Sequence, residues 1–177
     1  NIMNKKICIL GAGGIGSCVS ASMTDAGCDI TLVDQWADQI NKIKSDGLRV
    51  ITKEEDKTRK VNAFHLSDLA TFEPKFDYIF MAVKSYDTQW MAKYASVYLR
   101  DTGTLIGLQN AFNDDLNAEM IGRDRIIGSV VELSCEAFIP GIVQRNTVPT
   151  GTWFAVGELD GSKTERLLEI QSLMKLV

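Results

Sequence analysis

The 177-residue sequence predicts an α/β fold, a doubly wound and mostly parallel sheet with helices on both faces and added strands near its C-terminal part. Three observations carry that prediction. Short apolar runs at 7–10, 28–34, 78–83 and 104–108 alternate with segments of helical spacing. The first run opens into a glycine-rich turn. The run at 78–83 is apolar throughout, as a central parallel strand covered on both faces requires.

The first strand, 7–10, leads into Gly11-Ala12-Gly13-Gly14-Ile15-Gly16. Gly11 allows the tight turn out of the strand, Gly13 lets backbone approach a pyrophosphate without a Cβ in the way, and Gly16 lets the following helix pack closely. Residues 14–26 carry Ile15, Val19 and Met23 at helical spacing, and Gly27 stops that helix. Amides at its start face the phosphates, where unpaired N–H groups and the helix dipole favour negative charge. The second strand, 28–34, closes on Asp34, 18 residues after Gly16 and close to the roughly 20-residue offset of a ribose-binding acid. Strand, glycine turn, helix, strand and acid in that order make a Rossmann-type dinucleotide site, with Gly11, Gly13, Gly14, Ile15, Gly16 and Asp34 as cofactor-binding candidates.

A carboxylate at position 34 accepts hydrogen bonds from ribose hydroxyls and repels a 2′-phosphate, and no Arg or Lys lies between Asp34 and Gln39 to attract one. NAD(H) is therefore favoured, with NADP(H) the alternative. The other role open to Asp34 is capping the helix that starts near Trp36.

That helix, 36–46, turns Ile40 and Ile43 inward and ends at Asp46-Gly47. Two strands, 48–51 and 58–65, flank a charged turn at 54–56 in the manner of a hairpin. Ser67 or Asp68 caps a short helix through Phe72, and Pro74 blocks its continuation. After the strand at 78–83 come a helix at 87–99, a strand at 104–108 and a helix at 113–121. Beyond Arg125 the segments 126–133, 141–145 and 152–156 read as strands added at one side of the sheet. A last helix, 165–177, carries Leu167, Leu168, Ile170 and Leu173 and ends apolar and uncapped, which suggests part of a longer protein. The expected organisation is a dinucleotide-binding domain over 1–161, with 162–177 beginning an interdomain helix.

Composition excludes several classes. With 19 Lys and Arg against 23 Asp and Glu, a net charge of −4 and no basic stripe, neither nucleic acid nor an anionic membrane surface is an expected partner. No apolar run approaches the roughly 20 residues of a membrane span, and the N-terminus lacks the apolar core of a signal peptide, so the expected location is cytoplasmic. Four cysteines without CxxC spacing read as small buried hydrophobes rather than a zinc or dithiol site. The single histidine, His65, has no second histidine with which to build a metal site, and no metal is expected.

Ligands of open parallel sheets sit outside the carboxyl ends of the strands, where two polar segments fall: Val83-Lys84-Ser85-Tyr86-Asp87 and Leu108-Gln109-Asn110-Ala111-Phe112. Lys84 directly follows an apolar strand and suits binding of a carboxylate or phosphate, or polarising a carbonyl oxygen that receives hydride. Asn110 offers a donor and an acceptor, enough to orient a carboxamide or a substrate hydroxyl. Taken singly, each is also an ordinary loop residue.

The ordered set GAGGIG, Phe76-Asp77-Tyr78-Ile79, Ala82-Val83-Lys84-Ser85-Tyr86-Asp87-Thr88, Leu108-Gln109-Asn110, Pro140-Gly141 and Val156-Gly157-Glu158-Leu159-Asp160-Gly161 resembles the N-terminal half of ketopantoate reductases. The resemblance implies an oxidoreductase of pantothenate biosynthesis that passes hydride from a nicotinamide to the ketone carbon of a small 2-oxoacid, giving a 2-hydroxy acid. It implies that Val83, Lys84 and Asn110 face the cofactor, that Lys84 and Asn110 are catalytic, and that a homodimer is possible.

Three departures bear on it. Ala111 stands where the family usually has glycine. Asp34 stands where NADPH-preferring members carry a basic residue, which points toward NAD-using relatives such as mandelate-type D-2-hydroxyacid dehydrogenases. The family's general acid lysine and substrate-binding glutamate lie on a helical C-terminal domain outside this sequence, so the chain alone is expected to bind cofactor and turn over little. The competing readings are a regulatory NAD-binding module, like the cytosolic domains that control potassium transporters, and a methyltransferase-type loop for S-adenosylmethionine. The third glycine disfavours the methyltransferase reading.

Overall fold

The computed structural model describes residues 1–83, 85–108, 119 and 121–177, the side chains at 85, 86 and 88 excepted. A seven-stranded sheet forms the centre. Its strands are β1 (Lys6–Leu10), β2 (Asp29–Asp34), β5 (Ala63–His65), β6 (Phe76–Met81), β7 (Leu99–Gly107), β8 (Ile126–Glu132) and β11 (Trp153–Glu158). They lie in the order β11-β8-β7-β6-β1-β2-β5. All neighbours are parallel except the β11–β8 pair, so the mostly parallel, doubly wound sheet is as the sequence predicts. The strand order reverses between β1 and β6, and a crevice opens there at the carboxyl ends of both.

Alternation along β1 shows how the two faces are filled. Ile7 and Ile9 join Phe80, Ile106 and Ile127 beneath helices α1 (Gly14–Asp25), α2 (Ala37–Asp46) and α5 (Glu165–Met174). Cys8 and Leu10 join Ile79, Met81 and Leu105 against Leu69 of α3 (Leu69–Phe72) and Met91, Ala92 and Ala95 of α4 (Ser85–Ser96). Period-two side chains on a doubly covered sheet thus explain why these strands read as unbroken apolar runs.

Several expected elements differ. The segment 58–65 is not one strand: β4 (Asp56–Arg59) pairs antiparallel with β3 (Leu48–Ile51), while β5 joins β2 at the edge of the main sheet. The predicted hairpin is the β3–β4 pair, and the chain changes sheets at 60–62, where the Leu32 amide donates to the Asn62 carbonyl (2.8 Å). A second, four-stranded sheet in the order β4-β3-β10-β9 includes β10 (Ile142–Arg145) and β9 (Cys135–Ile139). Only β8 and β11 of the late strands extend the main sheet, and β9 has no counterpart among the expected elements. Helix α1 lies between the two sheets, touching β1 and β2 on one side and β3, β9 and β10 on the other.

Smaller corrections have local causes. A 3₁₀ turn, Leu66–Asp68, precedes α3: the His65 imidazole caps that turn by accepting from the Ser67 amide (3.2 Å), and Asp68 stands at the N-cap of α3, as expected, although its carboxylate accepts from the His65 amide (3.1 Å) rather than from an amide of α3. Strand β7 begins at Leu99, earlier than residue 104, and α4 runs from 85 to 96 rather than from 87 to 99. In α5, Leu167, Ile170 and Leu173 are buried but Leu168 faces solvent. The helix expected at 113–121 lies largely outside the described residues.

Helix α5 is tied to β11 by charge. Arg166 donates through Nε and Nη2 to the two carboxylate oxygens of Glu158 (2.6 and 2.5 Å), and the Thr164 hydroxyl adds a third bond (2.5 Å). The Arg166 guanidinium holds the Glu158 carboxyl below the usual carboxylate range, against the upward push of burial. A depressed folded value stabilises the protein above the unfolded carboxyl's pKa of about 4.3, and that contribution is lost as pH falls through the lower folded value. We expect Glu158→Gln to lower stability at pH 7 and to flatten its decline in acid, measured by urea unfolding between pH 7 and pH 3. A variant whose acid profile parallels that of the parent would count against this pair.

Candidate cofactor-binding site

The crevice between β1 and β6 is a cavity of about 470 Å³, walled by the glycine turn, by Asp34, Gln35 and Trp36 after β2, by Ala82 and Val83 after β6, by Asp87 and Met91 of α4, and by residues 135–138 of β9. The expected candidates Gly11, Gly13, Gly14, Asp34 and Val83 meet here. Ile15 packs partly against the core and Gly16 is buried beneath the turn. Lys84 and Asn110, which the family resemblance implies are catalytic, lie outside the described residues.

The glycines divide by what surrounds them. Gly11 has φ +115°, and a Cβ there would sit 2.4 Å from the Ala82 carbonyl oxygen. At Gly16 it would sit 1.7 Å from the Gly11 carbonyl oxygen, and at Gly14 2.6 Å from the Cys135 carbonyl oxygen. These three are demanded by the packing of the chain on itself. At Gly13 a Cβ would meet nothing within 4 Å. Protein packing does not explain that glycine, whereas close approach of a ligand to the backbone would.

Gly13 is also the N-cap of α1, with no side chain capping it. The first-turn amides of a helix have no intrahelical partners, and they supply donors and partial positive charge to an anion. Asp34 closes the other end of the cleft. Its Oδ2 accepts from the Ala12 amide (2.5 Å) and its Oδ1 from the Trp36 amide (3.0 Å). Asp34 does not cap α2, whose N-cap is Trp36 with no side-chain cap bond; it holds the Trp36 amide just before the helix and lines the cleft. With one bond recorded at each oxygen, the carboxylate retains lone pairs for ribose hydroxyls.

Two contributors escaped sequence reasoning. Strand β9 supplies the wall opposite α4, and it went unrecognised because an edge strand with both faces partly exposed carries no clean alternation. Gln39, wholly buried on α2, is the second. Its Nε2 donates to the Ala12 carbonyl (2.9 Å), and its Oε1 accepts from the Gly141 amide (2.6 Å), clamping the glycine turn to the 140–141 turn. A polar residue beside Ile40 on the buried face of an amphipathic helix was the available signal.

Gln39→Leu leaves the buried Gly141 amide unpaired, while the Ala12 carbonyl keeps the Ser17 hydroxyl (3.0 Å). One orphaned donor predicts a loss of about 2 kcal/mol in urea unfolding. An unchanged midpoint would mean that the clamp is not needed.

Among the described residues no group of three or more His, Cys, Asp or Glu side chains could hold a metal ion, and no helix is long and apolar enough to cross a membrane.

The sequence matches the family model described as ketopantoate reductase PanE/ApbA over residues 7–160. It is 28% identical over 184 aligned residues to a 2-dehydropantoate 2-reductase of Mesorhizobium japonicum, covering 92% of this chain and 54% of that protein. It is 33% identical to a 2-dehydropantoate 2-reductase of Pyrococcus horikoshii over 78% of this chain and 44% of that one. The chain thus spans about half the length of the curated relatives it matches.

Among solved structures, the fold is similar to a 2-dehydropantoate 2-reductase from Geobacter metallireducens, with TM-score 0.85, 21% identity, and coverage of 97% of this chain and 55% of that one. It is also similar to D-mandelate dehydrogenase in a ternary structure with NADH and anilino(oxo)acetate, with TM-score 0.83, 20% identity, and coverage of 97% and 53%.

Proposed function

The chain belongs to the ketopantoate reductase PanE/ApbA family, and from that premise we propose that it is the dinucleotide-binding half of an NAD(P)-dependent 2-oxoacid reductase. The observation that carries the proposal is the open space before Gly13, in a cleft where every neighbouring glycine is needed for packing. The amides of the first turn of α1 would hold a pyrophosphate there. Asp34 would hold the adenosine ribose and Val83 would flank the nicotinamide end, with Ala82 and Met91 lining the same cleft.

The cofactor supplies the hydride, and the protein positions the reactants and stabilises charge on oxygen. By their places in the family's motifs, rather than by geometry, Lys84 would supply positive charge to the carbonyl oxygen or carboxylate of the 2-oxoacid, and Asn110 would orient the carboxamide or the substrate. Asp34 favours NAD(H) over NADP(H), because its carboxylate would face a 2′-phosphate across the ribose. D-mandelate dehydrogenase, the fold neighbour recorded with NADH, offers a parallel for that cofactor choice.

Energy transfer from tryptophan to NADH tests the reading, because Trp36 lines the cleft. Saturable transfer that is competed by ADP-ribose is the expected result. Transfer that never saturates would overturn it.

A further inference from the structure

Away from any cysteine motif, the fold brings two thiols together. Cys18 Sγ, on the second turn of α1, lies 2.8 Å from Cys135 Sγ, the first residue of β9, and both are free thiols. The residues are 117 apart in sequence, so spacing alone could not reveal the pair. We infer that Cys18 and Cys135 form a redox site that closes reversibly to a disulfide on exposure to a hydroperoxide, fastening the β9 wall of the cleft to the helix that follows the glycine turn.

The surroundings give the two sulfurs different roles. Cys135 is half-buried and lines the cleft, so oxidant can reach it. Cys18 is buried, and its thiol is pushed well up by the hydrogen bond to Cys135 and by burial, although the nearby Arg145 and Arg59 guanidinium groups pull the other way. Cys135 is therefore the sulfur that reacts first. Its thiolate attacks the distal peroxide oxygen, the O–O bond breaks, and sulfenic acid and an alcohol or water result. Cys18 sulfur then attacks the sulfenic sulfur, the S–O bond breaks, and the thiol proton leaves with the hydroxide as water. Two thiols are oxidised by two electrons and one peroxide is reduced.

Closure asks for little movement. The sulfurs need only shorten from 2.8 Å to about 2.05 Å. Backbone contact is already in place, since Gly14 and the Cys135 carbonyl pack so closely that a Cβ on Gly14 would sit 2.6 Å from that oxygen. Cys8 and Cys28, both buried, serve as internal controls.

The test is intact-mass and peptide mapping of the protein treated with hydrogen peroxide. The expected result is a loss of about 2 Da, mapped to a linked Cys18–Cys135 peptide and reversed by dithiothreitol. In Cys18→Ser, Cys135 should instead remain as a sulfenic acid that dimedone traps. A gain of about 32 Da on Cys135 with no linked peptide in the parent protein would overturn the inference, as would a linkage to Cys8 or Cys28.

Discussion

Gly13→Ala is expected to leave the melting temperature nearly unchanged and to weaken NADH binding at least tenfold, while Gly16→Ala should unfold the protein roughly 10 °C lower. The contrast follows from where the added methyl goes. At Gly13 it enters empty space with φ −73° and ψ −163°, an extended conformation open to alanine. The lost N-cap preference and the reduced entropy of the unfolded chain are each below about 1 kcal/mol and nearly cancel. The methyl nevertheless occupies the volume assigned to the pyrophosphate. At Gly16 it collides with the Gly11 carbonyl oxygen at 1.7 Å, which cannot be relieved by rotating a side chain. The turn itself must shift, at a cost of about 3 kcal/mol or more. Thermal unfolding and NADH titration on both variants check the pair of outcomes. Equal destabilisation, or full NADH affinity in Gly13→Ala, would count against the assignment.

Asp34→Ala should weaken NADH about 10- to 100-fold, the equivalent of losing hydrogen bonds to a charged acceptor, and should bring NADPH affinity level with or above that of NADH. The removed carboxylate is both the acceptor for the ribose and the charge that repels a 2′-phosphate. Some stability goes with it, because the Ala12 and Trp36 amides lose their acceptor. Asp34→Asn separates the effects: it keeps one oxygen for an amide and removes the charge, so selectivity should relax more than stability falls. Titration of each variant with both dinucleotides gives the ratio directly.

What the sequence made legible follows from which forces act locally. The glycine turn could be read because each position restricts backbone or space within a few residues, and the central strands could be read because burial on both faces leaves an unbroken apolar run. The split of 58–65 could not: β4 is wholly polar, so no apolar pattern marks where it ends, and only pairing with β3 on one side and β2 on the other moves the chain between sheets. Strand β9 was hidden for a related reason, since Phe138 is 81% exposed and Glu136 faces outward, leaving only the small Cys135 and Ala137 on the face toward the core. His65 caps through its near neighbours Ser67 and Asp68 and escapes notice because histidine is not among the favoured N-cap residues, whereas Gln39 as a clamp depends on Gly141, brought close by folding from 102 residues away. The pairing of Cys18 with Cys135 is of the same kind.

The most direct test of the central claim is a backbone-amide NMR titration of this chain with NADH. The account predicts saturable shifts concentrated on Gly13, Gly14, Asp34, Val83 and Glu136, with the far edge at β11 unmoved. Shifts confined to residues outside that cleft, or none up to millimolar NADH, would contradict it.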